Sequence, residues 1–227
     1  MNYYFFLAVL FLFCMNGQGE SIKMKKNVGD TEEIYTKEYV DLNFEDFSVR
    51  VFRFKTFNKN INEVVFSKDS IIKVKSDLGF TPFGKVVQIK NSNWNETRVY
   101  WRYKTSLSIS DEGPHLDLLD WKHYTSDWEE VDKIDGNNWW LIDYGIVRRE
   151  RKFPDVSKEE IIQAIIDHSD NDSQWLDVWN KYYKNKHAND VLLSLFDFSH
   201  MYLKITGIDE NGVKQERMIE IMIPLGC

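Results

Sequence analysis

The sequence predicts an α+β fold: an antiparallel β-sheet or sandwich with an inserted αα-hairpin and a C-terminal β-hairpin. Short segments in which apolar and polar residues alternate recur at close spacing over residues 39–150. Helical periodicity is confined to residues 155–187, and an Asn-Gly pair separates the last two apolar segments. Because strands and helices do not alternate regularly along the chain, a parallel α/β sheet is disfavoured.

An uncharged apolar run opens the chain at residues 3–15. It is shorter than the ~20 apolar residues that a helix needs to span a bilayer, so it is typical of a secretory signal peptide. Glycines just after this run favour cleavage there, which makes residues 1–19 the signal peptide. The alternative is an N-terminal core strand or helix, although a strand without polar alternation would need burial on both faces. Residues 20–38 are polar and charged, and we expect a flexible leader ahead of one domain over residues 39–227.

The β-rich part of this domain is predicted from alternation, because successive side chains of a strand point to opposite faces of the sheet. Turn-forming Asn, Asp, Gly and Pro residues separate the segments. The predicted strands cover residues 39–44, 49–57, 63–66, 70–75, 85–90, 97–103, 116–123, 128–134 and 139–147. Many short strands at this spacing favour an antiparallel sheet or sandwich.

The first helix of the inserted pair has a clear start signal. Ser157 is followed three residues later by Glu160, which is the pattern of a capping box. Apolar residues then recur at helical spacing, and the helix is predicted to end near His168.

The second helix is predicted over residues 173–186. Its apolar face is predicted to contain Trp175, Leu176, Trp179, Tyr182 and Tyr183. The preceding loop, residues 167–172, resembles a calcium loop in its acidic residues, but Asp172 stands where the sharp turn requires Gly. We therefore predict that Asp172 or Ser173 caps the second helix instead.

The C-terminal strands are predicted between residues 191 and 223. They cover residues 191–198, 201–208 and 214–223. Asn211-Gly212 lies between the last two, and this pair tolerates the positive φ angles of tight hairpin turns. The chain is thus expected to end in a β-hairpin.

Charge and cysteine content restrict the functional classes. With 29 basic and 36 acidic residues, the net charge of −7 disfavours a nucleic-acid partner, which is usually met by a clustered basic face. Loss of the signal peptide would remove Cys14 and leave Cys227 as a free thiol, or as one half of an intermolecular disulfide. The residues before Cys227 fit neither a prenylation signal nor a lipid-anchor signal, so any membrane association is expected to be peripheral.

Motifs that would identify an enzyme are missing from the sequence. It contains no Gly-rich phosphate loop, no GxSxG, no HExxH and no CxxC, so we predict no catalytic residue, metal ligand or cofactor. A hydrolase that uses paired carboxylates stays open as an alternative, because acidic residues cluster at Asp127, Glu129, Glu130, Asp132 and Asp135.

Tryptophans between Trp94 and Trp140 leave a second alternative open, a carbohydrate-binding module, although tryptophans in strands are more often core. Trp139 and Trp140 are the candidate binding residues, because adjacent strand residues face opposite sides and at least one must be exposed or covered by the helices. Asn95 and Asn171 each begin a glycosylation sequon.

Four segments carry a resemblance to a known family: residues 40–43 with an Asp-Leu strand, residues 80–87 with a Pro/Gly turn before Lys-Val, residues 99–101 ending in Trp, and residues 121–132 with an aromatic-rich Trp-Glu-Glu-Val-Asp ending. Together, residues 40–132 resemble the loose FAINT-like β-rich repeat of secreted proteins from Theileria, a tick-borne piroplasm parasite. Chain size, leader and Asn/Lys/Ile richness are similar to those of the piroplasm membrane proteins of these parasites.

This resemblance implies a secreted or membrane-associated surface antigen of the merozoite or piroplasm, with no defined catalytic residues. It also implies little asparagine glycosylation. The function predicted from the sequence is therefore non-enzymatic binding of a protein partner, of host or parasite origin, outside the cell or at the parasite surface.

Overall fold

The structure, a computed structural model, describes residues 39–52, 64–66, 70–77, 82–110, 115–141, 147–148, 152–169, 173–187, 190 and 194–225. All of these belong to one unit, Lys37–Cys227. The predicted signal peptide, the polar leader, Asn171 and Cys227 lie outside the described residues.

Strands and helices are numbered here in chain order within the described residues. The strands are β1 Tyr39–Asn43, β2 Ser48–Phe52, β3 Val64–Phe66, β4 Ile71–Lys75, β5 Val86–Lys90, β6 Asn95–Ser110, β7 His115–Leu118, β8 Tyr124–Thr125, β9 Glu129–Glu130, β10 Lys133–Asp135, β11 Asn138–Trp140, β12 Phe196–Ile208 and β13 Lys214–Met222. The helices whose bounds lie within the described residues are α1 Lys158–His168 and α2 Gln174–Tyr182, and residues 147–148, 190 and 194–195 are also helical. The α+β class is confirmed.

The first sheet has the strand order β10-β11-β5-β2-β1-β3. Its alternation is regular: Leu42 and Val49 face each other on the buried side of the β1–β2 pair, while Asp41 and Arg50 face each other on the outer side. Arg50 donates two hydrogen bonds to Asp41, at 2.6 and 2.7 Å, and its guanidinium lies 3.5 Å from the ring centre of Tyr39. The ion pair with Arg50 and the charge of Lys90 keep the pKa of Asp41 below its usual value, although burial acts in the opposite direction.

The second sheet has the order β4-β13-β12-β6-β7, and β8 and β9 also pair with β6. The long strands β6 and β12 run antiparallel along most of their length. Two pairs are parallel, β1 with β3 and β13 with β4, so both sheets are mixed at an edge rather than wholly antiparallel as predicted. A parallel pair needs a crossover connection, and alternation along single strands carries no information about such a crossover.

The two sheets share one apolar core, as a sandwich does. Buried residues of both sheets form this cluster, including Val51, Trp139 and Leu203. Aromatic rings contribute strongly: the Phe47 and Trp94 rings lie 4.7 Å apart between centres in an edge-to-face arrangement. Such edge-to-face pairs add about 0.5–1.5 kcal/mol to the effect of area burial.

Both helices pack against a second cluster, beside the far halves of β6 and β7. This cluster contains Leu107, Ile109, Leu118, Ile161, Ile165, Trp175, Val178 and Trp179. The capping box of α1 is confirmed, since Ser157 accepts a hydrogen bond from the Glu160 backbone N–H and the Glu160 carboxylate accepts from the Ser157 N–H. Helix α1 ends at His168 as predicted.

Helix α2 differs from its prediction in three ways. It ends at Tyr182 rather than at residue 186, and its N-cap residue Ser173 makes no side-chain capping hydrogen bond. Asp172, the other predicted cap, lies outside the described residues. Tyr182 is exposed rather than part of the buried face, because the inward positions are taken by Trp175, Val178 and Trp179.

Several strand bounds also differ from the predicted ones. β6 runs far beyond residue 103 because Leu107 and Ile109 are buried under the helices. The predicted strand 128–134 is divided into β9 and β10, between which Val131 enters the core. The predicted strand 139–147 is wrong at its end, where Val147 is helical and buried.

The C-terminal β-hairpin is confirmed by β12 and β13. Gly212 has a φ of +77°, the left-handed conformation that glycine adopts without strain. The Asp209 carboxylate accepts hydrogen bonds from the backbone N–H groups of Asn211 and Val213, both at 2.9 Å. The predicted strand 191–198 is wrong at residues 194–195, which are helical; its end, from Phe196, continues into the predicted strand 201–208 as β12, with a register shift beside Ser199.

Candidate functional site

Alternation along β6 and β12 places a set of aromatic and cationic side chains on the outer face of the second sheet. Tyr100, Arg102 and Lys104 point outward from β6, whereas their neighbours Trp101 and Tyr103 are buried. On β12 the outward residues include Tyr202 and Lys204. The register aligns Arg102 with Tyr202 and Tyr100 with Lys204, so these side chains are direct cross-strand neighbours.

Trp128 completes the set from outside these two strands. It stands between β8 and β9, which both pair with β6, and is thereby held beside this face. The Arg102 guanidinium carbon and the Lys204 ammonium each lie 4.5 Å from the Trp128 ring centre. Arg102 also lies 5.0 Å from the Tyr202 ring centre, and Lys204 lies 5.2 Å from that of Tyr100.

The result is a cation–aromatic ladder in the order Tyr100, Lys204, Trp128, Arg102 and Tyr202. Each cation lies within contact range of two rings, and all five side chains are half-buried. Each such cation–ring contact is worth about 0.5–2 kcal/mol, depending on how far it is desolvated. The rings therefore fix the positions of the two charges without neutralising them.

Within the described part of the chain, neither cation of the ladder forms a salt bridge, and neither does the adjacent Lys104. Nearby carboxylates have other partners: Glu130 lies 3.7 Å from Arg98, and Glu220 lies 3.0 Å from Lys73. The Nε atom of Arg102 is buried and has no hydrogen-bond partner among the described residues. Nε cannot reach a ligand from outside, but the terminal Nη groups of Arg102 are not buried and form no hydrogen bond with described residues, so they are the groups that can bind an anion.

An open cleft of about 360 Å³ adjoins the Tyr100 end of the ladder. Its walls include Arg98 of β6, Thr206 of β12, and Lys214 and Glu216 of β13. Charges of both signs line the cleft, in contrast to the unpaired cations of the ladder. The cleft extends the polar part of the same sheet face.

The two candidate binding tryptophans lie on opposite sides of β11, as adjacent strand residues must. Trp139 is only 2% exposed and belongs to the core, so it is not available to a partner. Trp140 is 37% exposed and points away from the core. Of the two predicted candidates, only Trp140 lies on a surface, and that surface belongs to the other sheet.

The remaining tryptophans do not form an exposed row within the described residues. Trp94, Trp101, Trp175 and Trp179 are buried, and Trp121 and Trp128 are half-buried. Sugar-binding modules that stack rings on sugars need flat exposed aromatic surfaces. This arrangement gives the carbohydrate-binding alternative little support.

Acidic residues considered for a hydrolase do not converge on a described cavity. Asp127, Glu129, Glu130, Asp132 and Asp135 are exposed, and Asp135 accepts a hydrogen bond from the Asn138 side chain at 2.6 Å. Glycosidases need one carboxyl whose pKa is raised so that it can donate a proton. The described carboxyls whose pKa is shifted, Asp41, Glu160 and Asp209, all have a lowered pKa.

A buried polar cluster at the β12 bulge has the residue types of a nucleophile and base. Ser199 Oγ lies 2.8 Å from Ser106 Oγ and 3.1 Å from His200 Nδ1, and His200 Nε2 lies 3.9 Å from Glu220 Oε1. Both serines are fully buried, and His200 is 6% exposed, so a substrate has no access to the hydroxyl. Burial, aided by the charge of Lys104, lowers the pKa of His200 and favours a neutral ring. The cluster satisfies buried polar groups rather than forming an active site.

Among the described residues, no group of three or more His, Cys, Asp or Glu side chains is placed to hold a metal ion. No described helix combines the length and apolarity needed to cross a bilayer. Asn95, the described sequon residue, is exposed at the start of β6, with the Thr97 hydroxyl donating to the Trp94 carbonyl at 3.3 Å.

No protein-family model matches the chain, and no curated protein matches it either.

Sequence reasoning missed the ladder, although a signal was present. Aromatic and cationic residues alternate with apolar ones at positions 100, 102 and 104, and again at 202 and 204. Such alternation predicts a shared outward face, but only the register of β6 on β12 shows which residues become neighbours. The contribution of Trp128 from a separate segment has no sequence signal of its own.

Proposed function

We propose that the chain is an exported, non-enzymatic surface protein of the piroplasm-antigen type, which binds a protein partner of host or parasite origin through the outer face of the second sheet. The observation that carries this proposal is the cation–aromatic ladder, in which Arg102 and Lys204 lie against Trp128 without a described carboxylate partner. Trp, Tyr and Arg are the residue types that dominate binding energy in protein interfaces.

The rigidity of this face also supports a binding role. Aromatic contacts hold both cations in place before a partner arrives, so less side-chain entropy is lost on binding. Because these side chains are already half-buried, a partner needs only a small contact area to remove the rest of their surface from water. Both properties are typical of an interaction hot spot.

Export is the second part of the proposal. It rests on the apolar run at residues 3–15, which is too short to cross a bilayer as a helix, and on the resemblance to secreted Theileria proteins. The partner then holds the exported chain at the parasite surface. The paired-carboxylate hydrolase has weaker support because the candidate carboxylates are exposed and do not converge on a described cavity. The Trp-based carbohydrate module has weaker support because most of the tryptophans are buried.

Binding is tested with two matched tryptophan variants. The full chain is expressed in a secreting cell, and saturation binding of the exported product to host blood cells and to isolated piroplasms is measured. We expect Trp128→Ala to weaken binding by tenfold or more, because it removes the ring shared by Arg102 and Lys204. Trp140→Ala, on the other sheet, is the control and should leave binding unchanged. Equal binding by both variants and the unaltered chain would contradict the proposed surface.

Export is tested by fractionation of native protein followed by N-terminal sequencing. We expect the extracellular or surface fraction to contain a chain that begins near Glu20. A cytosolic pool that begins at Met1 would exclude an extracellular function.

A further inference from the structure

We infer that the segment of the partner that binds the cation–aromatic ladder is an acidic peptide in extended conformation. This inference rests on the proposed function, since it specifies the chemistry of the ligand at the same face. It depends on the charges of the face, on their spacing and on their number.

The charges favour a carboxylate ligand. The Arg102 guanidinium carbon lies 4.5 Å from the Trp128 ring centre and 5.0 Å from that of Tyr202. Its buried Nε atom is closed to a ligand, but its two terminal Nη groups form no hydrogen bond with described residues and are not buried. The two Nη groups of a planar guanidinium can bind one carboxylate through two parallel hydrogen bonds.

The spacing favours an extended peptide. Arg102 and Lys104 are two residues apart on β6, so their Cβ atoms are separated by about 6.8 Å along the strand. Side chains on one face of an extended peptide repeat at the same interval. Lys204 lies diagonally from Arg102 on the neighbouring strand, within reach of the same peptide. Acidic residues at alternate positions of the partner therefore match the cations of this face.

The number of cations disfavours a long polyanion. Sulfated polysaccharides and nucleic acids bind to extended basic surfaces through many charge contacts. Among the described residues at the ladder and directly beside it, three cations form no salt bridge, Arg102, Lys104 and Lys204, on a chain whose net charge is −7. A short acidic segment of the partner can pair with these three cations without coming close to the acidic side chains elsewhere on this protein.

The probe for the test is a fluorescein-labelled peptide of alternating Glu and Ser residues, and its binding to the full exported chain is measured by fluorescence anisotropy. Binding is compared at about 50 mM and about 300 mM salt, because screening weakens exposed ionic contacts. Heparin fragments labelled in the same way serve as the sulfated alternative. We expect the peptide to bind at low salt and to be released at high salt.

Charge-matched variants locate the contact. Lys204→Ala should weaken peptide binding by about tenfold, the size of effect typical for loss of one charge-assisted contact. Lys181→Ala is the control: its ammonium also lies against a tyrosine, 4.6 Å from the Tyr182 ring centre, but on helix α2. Arg102→Lys retains the positive charge but cannot form two parallel hydrogen bonds to a carboxylate, so it should also weaken peptide binding. This variant tests Arg102 if Arg102→Ala does not fold.

The outcomes separate this inference from the proposed function. Peptide binding that depends on Lys204 and Arg102, but not on Lys181, supports the inference. Failure of the peptide to bind at low salt, or binding of heparin alone, overturns the inference. The proposed function then stands if Trp128→Ala still weakens cell binding by tenfold or more. If Lys204→Ala, Arg102→Lys and Trp128→Ala all retain both peptide binding and cell binding, the inference and the proposed function are both overturned.

Discussion

Replacement of each of the adjacent tryptophans of β11 tests the sandwich architecture. Trp139 is 2% exposed in the core between the sheets, where its cross-strand neighbour is Val87. Trp139→Ala leaves a large cavity, and the cost of such Trp-to-Ala core substitutions is about 3–5 kcal/mol. Trp140 is 37% exposed on the opposite side, so Trp140→Ala should lower the free energy of unfolding by only about 1 kcal/mol.

Urea unfolding followed by circular dichroism measures both values, because each variant retains seven tryptophans and its secondary-structure signal. The free energy of unfolding of a typical domain is about 5–15 kcal/mol, so Trp139→Ala should remove a large part of it. The slope against urea should stay constant, so that the midpoint alone shifts. Equal losses in the two variants, or a larger loss for Trp140→Ala, would refute the assignment of the buried face of β11.

Three further perturbations follow from local geometry. A Cβ added at Gly207 would lie 2.9 Å from Trp94 Cε3, so Gly207→Ala should lower the free energy of unfolding by about 1–3 kcal/mol in denaturant titration. Ser157→Ala removes the acceptor for the Glu160 N–H and should cost about 0.5–2 kcal/mol, with reduced helical signal on mild heating. Because burial lowers the pKa of His200 in the folded state, protons bind the unfolded chain more readily, so stability should fall as the pH drops below about 6.5. His200→Gln should flatten that fall, and an unchanged pH profile would contradict the assignment.

Local sequence signals predicted those parts of the fold that depend on nearest neighbours. The Ser157–Glu160 capping box and the Asn211-Gly212 turn each need only a few adjacent residues, and both are confirmed. Long-range features were not predictable in the same way. The extension of β6 past residue 103 depends on burial under distant helices, and the parallel pairing of β4 with β13 depends on how the chain crosses over.

The candidate site could be predicted only in part. Alternation showed that one of Trp139 and Trp140 must leave the core, and the structure identifies Trp140 as the exposed one. The ladder depends instead on the register of β6 and β12, which places Lys204 beside Tyr100. It also depends on Trp128, which lies in a different segment of the chain and contacts Lys204. A one-residue change of register would move every side chain to the other face, so a sequence pattern alone does not define this surface.

Lysine footprinting of the bound protein tests the proposed binding face most directly. The lysines of the exported chain are acetylated in two samples, the unbound chain and the chain bound to cells. The modified lysines are then identified by mass spectrometry. We expect Lys104 and Lys204, on the outer face of the second sheet, to become protected on binding, while Lys90 on the first sheet and Lys181 on helix α2 react as before. Protection of Lys90 or Lys181 with continued labelling of Lys204 would show that the partner binds elsewhere, and would contradict the account.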